Sequence, residues 1–160
     1  MSFPESFISV FARNCKVRRI EAADAKAFLE ANHRYGWSKC RYCYGLFVER
    51  EGRDGHFRAG DLVAAGTFSN ARRWNKDGRT ISSYEWVRYA SLEGTRVSGG
   101  MGKILSAFTG EVHPDDIMSY APLSSGDEGE VYSKLGFTLE EIKEFEGGRS
   151  AKYRLKLTEY

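Results

Sequence analysis

The sequence predicts an α/β (α+β) fold: one domain spanning 1–160, with a mixed central sheet of about six to seven strands flanked by helices. Three observations carry this. Short β-favouring runs recur along the chain. Longer stretches place apolar residues at helical spacing. The stretch Ser83–Phe108 joins a strand to a helix through a turn containing Gly94, Gly99, Gly100 and Gly102.

Residues 1–14 read as an arm. Lys16–Ile20 is a short first strand. Glu21–His33 is helical, Ala-rich and free of Gly and Pro, with Ala27, Phe28 and Ala31 expected on one side and Gly36 closing it. Tyr44–Arg50 and Leu62–Phe68 form a hairpin across a glycine-bearing turn. Ser69–Thr80 reads as a basic loop, too polar to pack. Ile81–Ala90 is the fourth strand. The helix after it shows Met101, Ile104, Leu105 and Phe108 at i, i+3, i+4, i+7. Ile117–Ala121 is the fifth strand, 122–129 a loop with Asp127 and Glu128, and 130–135 a short helix. A strand starts at Gly136-Phe137, and Ala151–Leu157 is the last, alternating Tyr153, Leu155 and Leu157 with Lys152, Arg154 and Lys156.

Composition is that of an ordinary globular protein, 29% charged and 14% aromatic. There is no 18-residue apolar run, so no membrane span is expected. The first residues lack a basic segment followed by an apolar one, which makes cytoplasm the expected location. Charge is uneven. Residues 1–80 hold 15 Lys and Arg against 9 Asp and Glu, and residues 81–160 hold 9 against 13. Arg34, Lys39, Arg41, Arg72 and Arg73 sit among Tyr35, Trp37, Tyr42 and Trp74, the mixture that phosphate neutralisation and base stacking require. A solvated basic face, or a site for an anionic cofactor, accounts for the same residues.

Cys15, Cys40 and Cys43 are an odd count, which argues against a disulfide framework. Cys40 and Cys43 have C-x2-C spacing, and Cys15 or His33 could complete a zinc site. No second close pair exists. Reduced thiols without a metal are the favoured reading.

The glycine turn suits a phosphate, because the first turn of a helix offers N–H groups without internal partners. Here those residues are Arg96, Val97, Ser98, Gly99, Gly100, Met101, Gly102 and Lys103. They do not form a P-loop or a Rossmann turn. A tight connection is the plain alternative.

The element order, the segment Val131-Tyr132-Ser133-Lys134-Leu135-Gly136-Phe137 and the turn Val97–Lys103 resemble the Gcn5-related N-acetyltransferase (GNAT) superfamily. The segment around Tyr132 is similar to that family's late Tyr-x-x-x-Gly-Phe. The turn is similar to its Gln/Arg-x-x-Gly-x-Gly/Ala loop, which binds coenzyme A pyrophosphate. Val97 stands where Gln or Arg is usual, with Arg96 one place earlier. Within the superfamily, Asn32–Tyr35, Glu85–Arg88, and Ser119-Tyr120-Ala121 followed by Tyr132 resemble segments of phage Mom-like DNA-modification proteins. Pro122 takes a position where that resemblance expects Asp, and Asp127 is the substitute carboxylate.

The resemblance implies acyl transfer from acetyl-CoA or another acyl-CoA to an amine. Tyr132 is the candidate acid for the leaving thiolate, with a core tyrosine as the alternative. Glu85 is the candidate base and His33 the second. On a regular strand Glu85 and Arg88 face opposite ways, and a β-bulge between them would bring them together. His33 ends a helix, which favours its cationic form. Ser119 could hydrogen-bond a substrate or only its strand neighbours. DNA is the expected partner, with an adenine amino group as acceptor, and a dimer is left open. The rival readings are an acetyltransferase for a small or protein amine, and a non-catalytic module gripping nucleic acid or a host protein.

Overall fold

The computed structural model describes residues 7–52, 55–123 and 130–160. In chain order the elements are β1 (Ile8–Phe11), a 3-10 turn (Ala12–Asn14), β2 (Cys15–Arg19), α1 (Ala22–Asn32), β3 (Tyr42–Val48) and β4 (Leu62–Phe68). Then come β5 (Arg72–Lys76), β6 (Arg79–Ser91), β7 (Thr95–Ser98), α2 (Gly100–Val112), β8 (Asp116–Pro122), α3 (Glu130–Lys134), β9 (Thr138–Phe145) and β10 (Gly148–Lys156). This is an α+β fold with a mixed multi-strand sheet and few helices. Among the described residues no helix is long and apolar enough to cross a membrane.

The chain divides into two units. The first comprises Met1–Ser69 and Val87–Val112. Here β2, β3 and β4 are antiparallel neighbours, and β4 adjoins β6. Just past β6, the Leu92 N–H donates to the Val63 carbonyl at 2.8 Å. β1 and β7 run parallel, Ile8 against Thr95 through Phe11 against Ser98. Phe28, Leu29, Ala65 and Ala90 form a core against which Ile20, Trp37, Leu62 and Leu92 pack. The inward stripe of α1 is Ala25, Phe28 and Leu29. Ala27 and Ala31, expected on that face, are exposed. A run of small apolar residues leaves the phase of the helix open, and the bulkier Leu29 sets it. α2 buries Ile104, Leu105 and Phe108. Phe108 stacks on Phe68 at 3.9 Å, with Tyr44 edge-on to both rings.

The second unit comprises Asn70–Trp86 and His113–Tyr160. β5 is antiparallel to β6, β6 is parallel to β8 over Ser83–Glu85, and β8, β10 and β9 continue antiparallel. Asp116 is fully buried and organises this unit. It accepts hydrogen bonds from Ser83 Oγ at 2.7 Å and Tyr160 Oη at 2.5 Å, and it forms an ion pair with Arg154. One carboxylate thereby ties β6, β8, β10 and the C-terminal residue.

Three expectations need correction. The arm is structured where it is described, as β1 and the 3-10 turn. Thr95–Ser98, read as part of a turn, forms β7. The basic loop 69–80 contains β5, whose five residues are all exposed. A strand needs only backbone partners on one edge, so polar side chains do not prevent pairing. The overlooked signal is Asp77-Gly78. Both take positive φ, 51° and 81°, and connect Lys76 to its partner Arg79 in a two-residue hairpin of the Asp-Gly type.

Charge burial predicts a graded response to mutation. Asp116→Ala would leave Arg154 beside an empty carboxylate position and should lower unfolding stability by about 3 kcal/mol. Glu111→Ala breaks the Arg19–Glu111 pair, whose side chains are 41% and 42% exposed, and should cost less than about 1 kcal/mol. Urea denaturation of the two variants measures the contrast.

Candidate acyl-transfer site

The first unit holds the start of α2. Gly99 precedes the helix with φ +80°. Gly100 is buried, and a Cβ there would collide with the Tyr89 hydroxyl and lie 2.9 Å from Val97 Cγ1. Gly100 is therefore required by the packing of α2 against Tyr89 and Val97, quite apart from any ligand. The first turn of α2 carries no acidic residue, so no carboxylate of its own meets the positive end of the helix. Arg96 and Ser98 are exposed, and the Arg96 guanidinium lies 5.4 Å from the Phe7 ring. Lys103 is placed differently from expectation. Its Nζ donates to the carbonyls of Ala12 at 2.8 Å and Cys15 at 2.5 Å, fastening the 3-10 turn to α2.

His33 and Arg88 come together in this unit. His33 caps α1, its N–H donating to Leu29 O at 2.8 Å, and its Nδ1 accepts from the Tyr35 N–H at 2.9 Å. Arg88 donates to the carbonyls of Gly36 and Val87. Burial, then the Arg88 charge, pushes the His33 imidazole below its ordinary 6.5. The expected cationic form is thus reversed. A helix C-terminus favours the cation by about 0.3–1 kcal/mol in exposed positions, and burial beside a guanidinium outweighs it. With Nδ1 accepting from the Tyr35 N–H, the neutral ring carries its proton on Nε2, so its lone pair is already engaged.

The second unit holds Tyr132, and its motif is a helix-stop device. Gly136 takes φ +96°. The Phe137 N–H donates to Tyr132 O at 2.9 Å and the Gly136 N–H to Ser133 O at 3.1 Å. These are the 6→1 and 5→2 bonds of a Schellman cap, with the accompanying apolar contact from Phe137 to Tyr132, ring centroids 5.4 Å apart. The spacing Tyr-x-x-x-Gly-Phe is what that cap needs. Tyr132 also stacks on Tyr153 at 5.4 Å and meets Trp86 edge-on at 6.3 Å.

The Tyr132 hydroxyl is 2.9 Å from Ser119 Oγ, which is 3.2 Å from the Trp86 carbonyl. A serine has one hydroxyl proton. When that proton goes to Trp86 O, Tyr132 donates to Ser119, and when Tyr132 is ionised, Ser119 can turn and donate to the phenolate. Burial pushes the phenol up while Ser119 pulls it down. Glu85 is half-buried on β6 and pairs in register with Met118. The pairing with β8 runs without a break through Glu85. Asp127 lies outside the described residues.

The basic and aromatic residues separate. Tyr35 is 53% exposed, with the Arg34 guanidinium 5.4 Å and the Arg88 guanidinium 5.9 Å from its ring. Lys39 and Arg41 are exposed, and Arg41 lies over Tyr42. Trp37 instead packs on the first unit's core. Trp74 donates its indole N–H to Ser83 Oγ at 2.9 Å beside the Tyr160 ring, which fixes its orientation. Arg72 and Arg73 are exposed on β5. Among the described residues, no three His, Cys, Asp or Glu side chains form a group that could hold a metal ion.

No family model matches this sequence, and no curated protein matches it significantly. Solved structures do. The chain is similar to NAA60 of Arabidopsis thaliana in complex with acetyl-CoA, with TM-score 0.68 and 6% identity over 89% of this chain and 99% of that one. It is similar to a GNAT family acetyltransferase of Elizabethkingia anophelis with acetyl-CoA bound, with TM-score 0.57, 12% identity, and coverage of 90% and 99%. The chain has the fold of the GNAT acetyltransferases. Spermidine/spermine N-acetyltransferase SpeG of Vibrio cholerae shares it at TM-score 0.59 and 10% identity, over 91% of this chain and 94% of that one.

The His33 environment gives a measurable outcome. In an NMR pH titration, His33 should titrate below 6.5, and Arg88→Ala should raise its midpoint. Its depressed folded pKa implies that its contribution to stability is present above the unfolded value and is lost as pH falls below it. A midpoint at or above the ordinary value would show the helix dipole to dominate.

Proposed function

We propose that the protein is an acyl-CoA-dependent N-acyltransferase whose acceptor is an amino group of a base in DNA. The donor half is carried by one observation, the start of α2. Its first turn has no acidic residue, and glycines stand before and at its first position. Those features suit a pyrophosphate held by backbone N–H groups of Gly100, Met101 and Gly102. Arg96 and Ser98 are assigned as exposed side-chain donors. Lys103, engaged with Ala12 and Cys15, acts as a structural fastener. The CoA and acetyl-CoA complexes among the solved neighbours support the same donor. When bound, an acyl-CoA supplies an activated thioester carbonyl.

The proton chemistry is assigned to this chain's own groups. Tyr132 gives its phenol proton to the departing thiolate, and Ser119 then donates to the phenolate. Glu85 takes the proton of the attacking amine, with His33 as the second candidate base, whose Nδ1 must first release the Tyr35 N–H. Arg88 positions His33 and holds its proton affinity down.

The acceptor reading is supported by the exposed strand β5, with Arg72, Arg73 and Lys76, and by Tyr35 among Arg34 and Arg88. Such groups neutralise phosphates and stack on a displaced base. The Mom-like segments agree with it. The amine acceptors in the name of SpeG favour a second reading, a small amine, and make the acceptor the point to test.

Mass spectrometry of nucleosides from DNA of cells expressing the protein should reveal a new acyl-derived nucleoside. Tyr132→Phe should cut its formation about 10²-fold while acetyl-CoA affinity stays nearly unchanged. Unaltered turnover in that variant would remove Tyr132 as the acid. An unmodified profile with retained acetyl-CoA binding would move the acceptor to a small or protein amine.

A further inference from the structure

Two cysteines that acyl transfer does not use stand against each other in the first unit. Cys40 lies in the loop before β3, and Cys43 is the second residue of that strand. Their sulfurs are 3.1 Å apart. Cys43 is buried and Cys40 is half-exposed. Both line a cavity of about 330 Å³ shared with Arg19, Glu21 and Arg41. The two sulfurs are therefore in hydrogen-bonding contact and face a space large enough for a small reactant. The third cysteine, Cys15, is buried elsewhere, with its sulfur 3.6 Å from the Phe11 carbonyl.

Two cations, Arg19 and Arg41, and two carboxylates, Glu21 and Glu111, stand around the pair. Arg41 is exposed, with its guanidinium over the Tyr42 ring. Arg19 forms an ion pair with Glu111 at 2.5 Å and lies over the Tyr42 and Tyr44 rings. Glu21 is the one carboxylate among the lining residues. The hydrogen bond from Cys40, with help from Arg19 and against burial, holds the Cys43 thiol below its ordinary value, and Cys40 is raised in turn. Among the described residues no third His, Cys, Asp or Glu joins them in a group that could hold a metal ion.

We propose that Cys40 and Cys43 are a dithiol site for reversible oxidation by a low-molecular-weight disulfide such as glutathione disulfide. The more exposed Cys40 sulfur attacks one sulfur of the oxidant, and its proton goes to the thiolate that leaves. The oxidant's S–S bond breaks, a mixed disulfide forms on Cys40, and one thiolate leaves. Cys43 then attacks the Cys40 sulfur of the mixed disulfide and the second thiolate leaves. The two leaving groups carry away the two thiol protons. The oxidant is reduced to two thiols, and the cysteines are joined. The sulfurs approach by about 1 Å to reach bonding distance.

The test treats the reduced full-length protein with glutathione disulfide and, separately, with cystamine, a cationic disulfide. Glutathione disulfide should make the protein lighter by two hydrogen atoms and leave only Cys15 as a free thiol. Trypsin cuts at Arg41, between the two cysteines, so their peptides should stay joined until reduction. Cystamine should give the same cross-link between the two cysteines. Cys43→Ser should stop at a persistent mixed disulfide on Cys40. Cys40→Ser, at the more exposed position, should abolish the reaction while its circular dichroism melt stays close to that of the parent. Three free thiols after prolonged exposure would overturn the proposal. So would oxidation of Cys15 at the same rate, or a stable mixed disulfide on the parent protein.

Discussion

Backbone groups at helix ends must find partners, and that constraint shapes this molecule more than any other. Two ends are closed by the chain itself. Asn32 Nδ2 donates to Phe28 O and the His33 N–H to Leu29 O, with Gly36 turning the chain afterwards at φ +67°. The short α3 ends in the Gly136 cap, which also seats Phe137 against Tyr132. The start of α2 is different, with glycine before it and no carboxylate in its first turn. Closing α1 and α3 orients His33 and Tyr132. The glycine-framed start of α2 gives the proposed function its anion site.

The demand for partners extends to the charged residues. Lys103, which a phosphate would otherwise claim, anchors two carbonyls instead. Glu140 is held down to about 2 by Arg154, with Lys152 adding to it, so the exposed strand β9 is pinned by charge to β10. Asp116 engages its oxygens with Ser83, Arg154 and Tyr160. Cations fastened in this way are not available to a ligand.

Much of this was legible in the sequence. Apolar periodicity located α2 and its buried Ile104, Leu105 and Phe108, because an amphipathic helix must turn one face inward. The Tyr132 and Gly136 spacing was visible because a Schellman cap fixes it. Other features were hidden. The strand β5 has no buried side chain, so hydrophobic alternation could not reveal it, although Asp77-Gly78 could have. The neutral state of His33 depends on Arg88, 55 positions away in the chain, and so on tertiary structure. The contact of Cys40 with Cys43 was suggested by spacing alone, and only the structure shows the shared cavity.

The central claim is that the α2 start binds the pyrophosphate of an acyl-CoA. Isothermal titration calorimetry with acetyl-CoA and with S-acetylpantetheine, which lacks the pyrophosphate, tests it most directly. The account predicts measurable acetyl-CoA binding and about 10²-fold weaker binding of the truncated thioester, since charge-assisted N–H bonds to the phosphates are lost. Equal affinity for the two would contradict it, as would the absence of acetyl-CoA binding.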